Sequence, residues 1–80
     1  KGTIMKSIKL FLGHAENVKK FVNIASSYPY DMDLRIGRHV VDAKSILGIF
    51  SLDLSKEVFL DIHADSCDDI LHALEPFTVK

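Results

Sequence analysis

Apolar and polar residues alternate along three segments of the chain, which is the period of a β-strand with one buried face. These segments run from Ser7 to Leu12, from Met32 to Ile36 and from Glu57 to His63. A further strand, His39 to Asp42, follows the tight turn that Gly37-Arg38 predicts. We therefore expect four short strands, each with one buried face.

Two further segments have the spacing of an amphipathic helix. In the first, apolar residues recur at i, i+3, i+4 and i+7, namely Val18, Phe21, Val22 and Ala25. This helix ends before Pro29, because the residue that precedes a proline is pushed out of the helical region. The second helix opens at Ser45, and its apolar residues that fit one face are Ile46, Ile49 and Phe50.

A last helix is predicted near the C-terminal end of the chain. The run Ser66-Cys67-Asp68-Asp69 is typical of an N-cap followed by acidic residues in the first turn. Ile70, Ala73 and Leu74 continue the helix, and we expect Pro76 to stop it.

The order of these elements is β-α-β-β-α-β-α, which predicts an α+β fold. Since each strand has apolar residues on one face only, we expect a four-stranded antiparallel sheet with three helices on one face, an open-faced β-sandwich. A length of 80 residues predicts a single domain over residues 1–80.

Charge and composition argue against several classes of function. The chain has 10 Lys and Arg against 11 Asp and Glu, a net charge of −1, so we expect no nucleic-acid partner and no membrane surface. No segment is continuously apolar over ~18 residues. The first residues lack the apolar core of a secretory signal, which favours a cytoplasmic protein. The chain begins with Lys1, and Met5 is one candidate for the natural start.

Few side chains outside the helix starts suggest chemistry. The single cysteine, Cys67, cannot form an internal disulfide, and we expect it to be partly buried. The histidines without metal-ligand spacing, which we expect at the surface or at sheet edges, are His39, His63 and His72. The acids that we expect in loops and N-caps are Asp61, Asp65, Asp68 and Asp69. We therefore predict no metal and no cofactor.

The stretch from Asp42 to Asp53 is the most specific in the chain. Lys44, Ser45 and the aliphatic residues that follow resemble the serine motif of the HPr phosphocarrier family. Gly37 lies one position farther from Ser45 than the family glycine would. His14 lies directly after the first strand, where the family carries its phospho-accepting histidine, and Phe21-Val22 matches a similar pair. The resemblance covers the chain from about residue 8 to residue 77.

This resemblance implies the HPr-like fold and a phosphocarrier of the phosphoenolpyruvate-dependent sugar phosphotransferase system. It implies His14 as the phospho-acceptor, forming a transient phosphohistidine, and Ser45 as the target of a regulatory serine kinase. It also implies docking of phosphotransferase system enzymes, a general phosphoryl donor and a sugar-specific acceptor, on the exposed members of the short helix, which we take to be Ile46, Leu47 and Phe50. The family expectation is a monomer.

The neighbours of His14 depart from the family pattern. Glu16 stands where the family has an arginine, and Asn17 where it has a proline. A carboxylate replaces a phosphate-binding guanidinium, so its charge repels the phosphate. His14 is therefore either a weakened phosphocarrier or part of a domain that has lost efficient transfer.

Three functions stay open at this point. The chain is a phosphocarrier, an HPr-like regulatory or protein-interaction domain without transfer, or a ligand-binding or structural module that shares the β-α-β-β-α-β layout; the serine motif argues against the last. His14 and Ser45 each have a plain structural alternative, since either residue can serve only to cap a helix.

Overall fold

The computed structural model describes residues 5–79. Its elements are β1 (Lys6–Leu10), α1 (Ala15–Ser26), β2 (Met32–Ile36), β3 (His39–Asp42), α2 (Ile46–Phe50), β4 (Val58–Ile62), α3 (Asp68–Ala73) and a 3-10 turn (Glu75–Phe77). This order confirms the predicted β-α-β-β-α-β-α arrangement. The four residues before Met5 lie outside the described residues, and so does the question of whether Met5 is the natural start.

The four strands form one antiparallel sheet in the order β1-β4-β2-β3. β2 and β3 form a hairpin across Gly37, whose φ of 55° is the left-handed conformation that glycine adopts without strain. The strands pair so that Leu34 lies opposite Leu60, which lies opposite Ile8. Apolar residues of neighbouring strands therefore share one face of the sheet.

That apolar face is covered by the helices, which confirms the open-faced sandwich. Strand residues and helix residues contribute together to one cluster of fully buried side chains, among them Leu10, Leu34, Leu60, Val18, Phe21, Ile49 and Ile70. Burial of such aliphatic and aromatic side chains, at about 1.5–3 kcal/mol each, is the main stabilising contribution of the fold. The cluster also holds Cys67, which is buried more completely than expected.

The predicted end of the first strand at Leu12 is wrong, since β1 ends at Leu10. From Phe11 onward the chain leaves β4 and pairs with the C-terminal segment, where the Phe11 N–H donates to the Phe77 carbonyl oxygen at 2.9 Å. Leu12 is nevertheless buried. The pattern therefore gave the correct face, and only the strand boundary was misplaced. β4 is likewise one residue shorter at each end than predicted.

The start of α3 lies in the predicted run, whereas its end differs from the prediction. Cys67 is the N-cap residue, with Asp68 and Asp69 in the first turn, and its side chain makes no capping hydrogen bond. Burial raises the pKa of the Cys67 thiol, so this group is an unreactive part of the core. Pro76 does not stop the helix, because α3 has already ended at Ala73 and Pro76 lies inside the following 3-10 turn.

The expectation that Asp61 is a loop or N-cap acid is wrong. Asp61 lies in β4 and is 7% exposed. The Arg35 guanidinium donates from Nε to Oδ2 at 2.9 Å and from Nη2 to Oδ1 at 3.1 Å. The Ser7 hydroxyl donates to Oδ1 at 2.7 Å. These hydrogen bonds, chiefly those of Arg35, lower the pKa of the Asp61 carboxyl and cross-link three strands, β1, β4 and β2.

Candidate functional site at the starts of α1 and α2

The loop that carries His14 begins with a glycine in a conformation that other residues rarely adopt. Gly13 has φ 81°, and a Cβ at this position would come within 3.0 Å of the Phe11 ring. The turn is closed by a hydrogen bond from the His14 N–H to the Leu12 carbonyl oxygen, 2.9 Å long. The positive φ is therefore the main reason for a glycine here, and the Phe11 ring would have to shift to admit a larger residue.

His14 is the N-cap residue of α1, and its backbone is extended at φ −154° and ψ 170°. Its carbonyl oxygen accepts hydrogen bonds from the backbone N–H groups of Asn17 and Val18, at 3.1 and 3.2 Å. Its side chain makes no capping hydrogen bond and is exposed. The imidazole therefore does not cap the helix, and the purely structural alternative for this side chain loses its support.

The first turn of α1 presents backbone donors next to this imidazole. In an α-helix the N–H groups at the first positions, here Ala15 and Glu16, have no intrahelical acceptor. Such donors, with the positive end of the helix dipole, favour a phosphate. The Glu16 carboxylate is exposed in the same turn and is attracted to the same positive end. Glu16 thus stabilises α1 while opposing any anion bound beside it.

Asn17 is held by a specific contact. Its side-chain Nδ2 donates to the Leu12 carbonyl oxygen at 2.7 Å, so that this oxygen accepts two hydrogen bonds. The backbone of Asn17 lies in the first turn of α1, whereas Leu12 precedes Gly13. The contact therefore bridges the loop that carries His14.

Ser45 is the N-cap residue of α2, and here the side chain does cap. Its hydroxyl oxygen accepts the Gly48 N–H at 3.2 Å. Just before it, the Asp42 carboxylate accepts the Lys44 backbone N–H at 2.8 Å, and Lys44 Nζ donates to the Tyr28 carbonyl oxygen at 2.9 Å. The start of α2 is therefore fixed to the chain that follows α1. The predicted helix start at this serine is confirmed.

The short helix α2 has both buried and exposed apolar residues. Ile49 is fully buried, and Ile46 is half-buried. Leu47 is 81% exposed and Phe50 is 41% exposed. Phe50 therefore does not share the buried face that its i, i+4 spacing with Ile46 suggested. A helix of five residues packed on one side cannot bury all of its apolar residues, and two of them face solvent.

His14 and Ser45 belong to different ends of α1. His14 begins this helix, whereas Lys44, next to Ser45, contacts the Tyr28 carbonyl just beyond its end. A helix of 12 residues is roughly 18 Å long. The Lys44 contact therefore links the start of α2 to the C-terminal end of α1, and no hydrogen bond within residues 5–79 joins Ser45 to His14.

Two features near His14 were not predicted. Phe11 is 46% exposed beside Gly13. The signal for it was present, since an aromatic residue occupies the polar face of the first strand. A cleft of about 520 Å³ lies between α1 and the 3-10 turn, lined by Asn17, Lys20, Asn23, Ile24, Pro76 and Phe77. The sequence gives no signal for this cleft, because its two walls are distant along the chain.

The remaining histidines lie at the surface, as predicted for His39, His63 and His72. His63 Nε2 lies 3.0 Å from Asp33 Oδ2, which joins β2 to the chain just after β4. Over residues 5–79, no three His, Cys, Asp or Glu side chains are grouped so as to hold a metal ion. Among the helices of this part of the chain, none has the length and apolar character to cross a bilayer.

Comparison with known proteins agrees with the fold. The sequence model described as the PTS HPr component phosphorylation site matches residues 9–78. This match includes both helix starts and all the core elements after β1. The chain belongs to the HPr family of the phosphotransferase system.

Solved structures give the same result. HPr-C-His from Thermoanaerobacter tengcongensis is 30% identical, with a TM-score of 0.69 over 95% of this chain and 89% of that one. An HPr dimer from the same organism is 32% identical, with a TM-score of 0.66 over 79% of this chain and 75% of that one. The phosphocarrier protein HPr of Bacillus anthracis str. Ames shares the fold at 23% identity, with a TM-score of 0.75 over 99% of this chain and 100% of that one.

Proposed function

We propose that this chain is a phosphocarrier that accepts a phosphoryl group at His14 from the general enzyme of the sugar phosphotransferase system. It would then pass the group to a sugar-specific component. The observation that supports this proposal is the exposed His14 side chain, which takes no part in capping α1. A solvent-accessible imidazole at a helix start has no structural role that explains it, and its position suits phosphoryl transfer.

The chemistry follows from the local geometry. A ring nitrogen of neutral His14 attacks the phosphorus atom of the donor, and the bond from phosphorus to the donor breaks as the new phosphorus–nitrogen bond forms. The free N–H groups of Ala15 and Glu16 then face the phosphate oxygens. Positioning and electrostatic stabilisation carry most of the catalysis in such transfers. In this chain the Glu16 carboxylate acts against that stabilisation.

A second candidate function follows from Glu16. A negative side chain in place of the family arginine favours a regulatory or protein-interaction domain that has lost efficient transfer. Such a domain would use the exposed apolar residues of α2 and leave His14 without phosphate. The two candidates differ in one measurable property, the formation of phosphohistidine.

The deciding experiment incubates the protein with the general enzyme and labelled phosphoenolpyruvate. We expect an acid-labile phosphate on the wild type and none on His14→Ala. The matched control is His72→Ala, since His72 is exposed on α3 and should leave labelling unchanged. An unlabelled wild type, or a label that survives in His14→Ala, would exclude the carrier function.

Partner docking is proposed for Leu47 and Phe50, with Ile46 at the edge of the same surface. Exposed apolar side chains on neighbouring turns commonly mark a protein interface. Leu47→Ser should weaken binding of phosphotransferase system enzymes and leave the fold intact, because this side chain is 81% exposed. Isothermal titration against the general enzyme measures the effect, with Val40→Ser, exposed on the sheet, as the control.

We also propose that a serine kinase regulates the protein at Ser45, because the residues around Ser45 resemble the serine motif of the family. A phosphate on Ser45 would replace the hydroxyl that now accepts the Gly48 N–H, and it would lie at the start of α2. Labelling with a kinase and comparison with Ser45→Ala tests this site. We also propose that the protein is a monomer, and sedimentation equilibrium tests that state against a dimer.

A further inference from the structure

Asn17 differs from the family pattern in a way that has a structural counterpart. The resemblance to the family puts a proline at this position, and proline has no side-chain donor. In this chain the Asn17 side chain donates from Nδ2 to the Leu12 carbonyl oxygen at 2.7 Å, in a partly buried contact. A proline could not form this hydrogen bond.

We propose that Asn17 is a positioning residue that fixes the backbone of the loop carrying His14, and with it the point from which the imidazole projects. The Leu12 carbonyl oxygen receives the Asn17 amide and also the His14 N–H, at 2.9 Å. These two hydrogen bonds tie the His14 backbone and the first turn of α1 to one carbonyl oxygen on the other side of Gly13. The effect of Asn17 on phosphoryl transfer rests on the proposed function, whereas its restraint on the loop does not.

The restraint matters because the His14 imidazole makes no hydrogen bond of its own within residues 5–79. The His14 side chain forms no capping hydrogen bond and is exposed. The backbone of the loop therefore sets the direction of the Cα–Cβ bond that carries the imidazole, and Gly13 with φ 81° is the residue with the greatest conformational freedom there. Transfer reactions lose rate when the reacting group is displaced by a small distance. Loss of the Asn17 contact should therefore affect the rate of transfer more than binding of the donor.

Two substitutions isolate the hydrogen bond. Asn17→Asp keeps the shape of the side chain but removes the donor, and Asn17→Ala removes the side chain without adding charge. A purely helix-stabilising role predicts that Asn17→Asp is harmless, because an acidic residue is favoured in the first turn. The matched controls are Asn23→Asp and Asn23→Ala. Asn23 is exposed on α1, and its side chain makes no hydrogen bond within residues 5–79.

Two measurements decide the proposal. Nitrogen-15 relaxation of the Gly13 and His14 amides reports the order of the loop without requiring transfer. Steady-state phosphoryl transfer from the general enzyme reports kcat and KM. We expect both Asn17 variants to show increased fast motion at these two amides. We also expect a kcat lowered by about tenfold with KM within about twofold, whereas the Asn23 variants resemble the wild type.

Unchanged relaxation in Asn17→Ala would overturn the proposal, whatever the transfer assay shows. Increased motion with an unchanged kcat would also overturn it, because the loop would then be restrained without consequence for His14. A wild type that accepts no phosphate would exclude the phosphocarrier function, and the relaxation measurement would still decide whether Asn17 orders the loop. The two failures are therefore distinguishable.

Discussion

His14 and Ser45 are the N-cap residues of α1 and α2, but they use their side chains differently. At α2 the Ser45 hydroxyl accepts the Gly48 N–H at 3.2 Å. The preceding residue, Lys44, donates from Nζ to the Tyr28 carbonyl oxygen. At α1 the His14 carbonyl begins the helix, whereas the imidazole is exposed and makes no capping contact. One side chain belongs to the fold, and the other does not.

This difference changes the weight of each residue as functional evidence. The presence of Ser45 is explained by the helix that it caps, so the residue alone is weak evidence for regulation. The His14 side chain makes no comparable capping contact, so a function at its surface is the better explanation. Glu16 in the first turn supplies part of the stabilisation that a capping side chain would have given to α1.

The largest expected effect on stability lies away from both helix starts and sets the scale for them. Asp61→Asn removes the charge that the Arg35 guanidinium binds and weakens the link between β1, β4 and β2. We expect the free energy of unfolding to fall by about 2 kcal/mol, since hydrogen bonds to a charged group are worth about 1.5–3 kcal/mol. Urea denaturation measures this, and phosphoryl transfer should change less than twofold.

The matched control for Asp61→Asn is Asp65→Asn, in the exposed loop after β4.

The Asp61 carboxyl also predicts that stability depends on pH. Because the pKa of Asp61 is lowered in the folded state, its contribution to stability is present above the unfolded value of about 3.9 and is lost as the pH falls through the lower folded value. The difference in the free energy of unfolding between the wild type and Asp61→Asn should therefore be smaller at acidic pH than at neutral pH. An equal difference at all pH values would contradict this account.

The next effect concerns the charge beside His14. Glu16→Arg replaces a repelling carboxylate with a group that binds phosphate, and we expect phosphoryl transfer to accelerate about tenfold. Water screens this charge effect and keeps it modest, because the side chains of residue 16 and His14 are both exposed. This factor corresponds to about 1.4 kcal/mol of activation free energy. Rapid-quench measurement of phosphohistidine formation gives the rate.

Asp65→Arg is the control for net charge in this experiment. It changes the charge by the same amount but lies beyond the end of β4 that pairs with Lys6, at the opposite end of the sheet from Leu10 and the His14 loop. An equal acceleration in both variants would mean that net charge, and not the position of residue 16, determines the rate. If neither variant accelerates transfer, the rate is limited by partner docking and not by the charge of residue 16.

A smaller effect is expected at the start of α2. Ser45→Ala removes the acceptor of the Gly48 N–H, and we expect a loss of about 1 kcal/mol of stability, the usual cost of losing a capping side chain. Ser66→Ala, an exposed serine just before the N-cap of α3, is the control and should change stability by less than about 0.3 kcal/mol. A negligible loss in Ser45→Ala would leave regulation as the better explanation of this serine.

The order of elements and the buried faces could be predicted from periodicity, because each strand and helix carries its own pattern. The capping role of Ser45 could also be predicted, since the acceptor and its donor are three residues apart. The Asp61–Arg35 pair could not, because it depends on the register between β4 and β2. The contact of Asn17 with Leu12 depends on the turn at Gly13, which the sequence marks without specifying its conformation.

The smallest expected effect is at His14, and it tests the contrast between the two helix starts most directly. His14→Ala removes an exposed side chain without a capping hydrogen bond, so we expect the free energy of unfolding to change by less than about 0.3 kcal/mol. Ser45→Ala, measured in the same urea series, should lose about three times as much or more. An equal loss in both variants would mean that the imidazole stabilises α1 after all, and its exposure would no longer support a role in phosphoryl transfer.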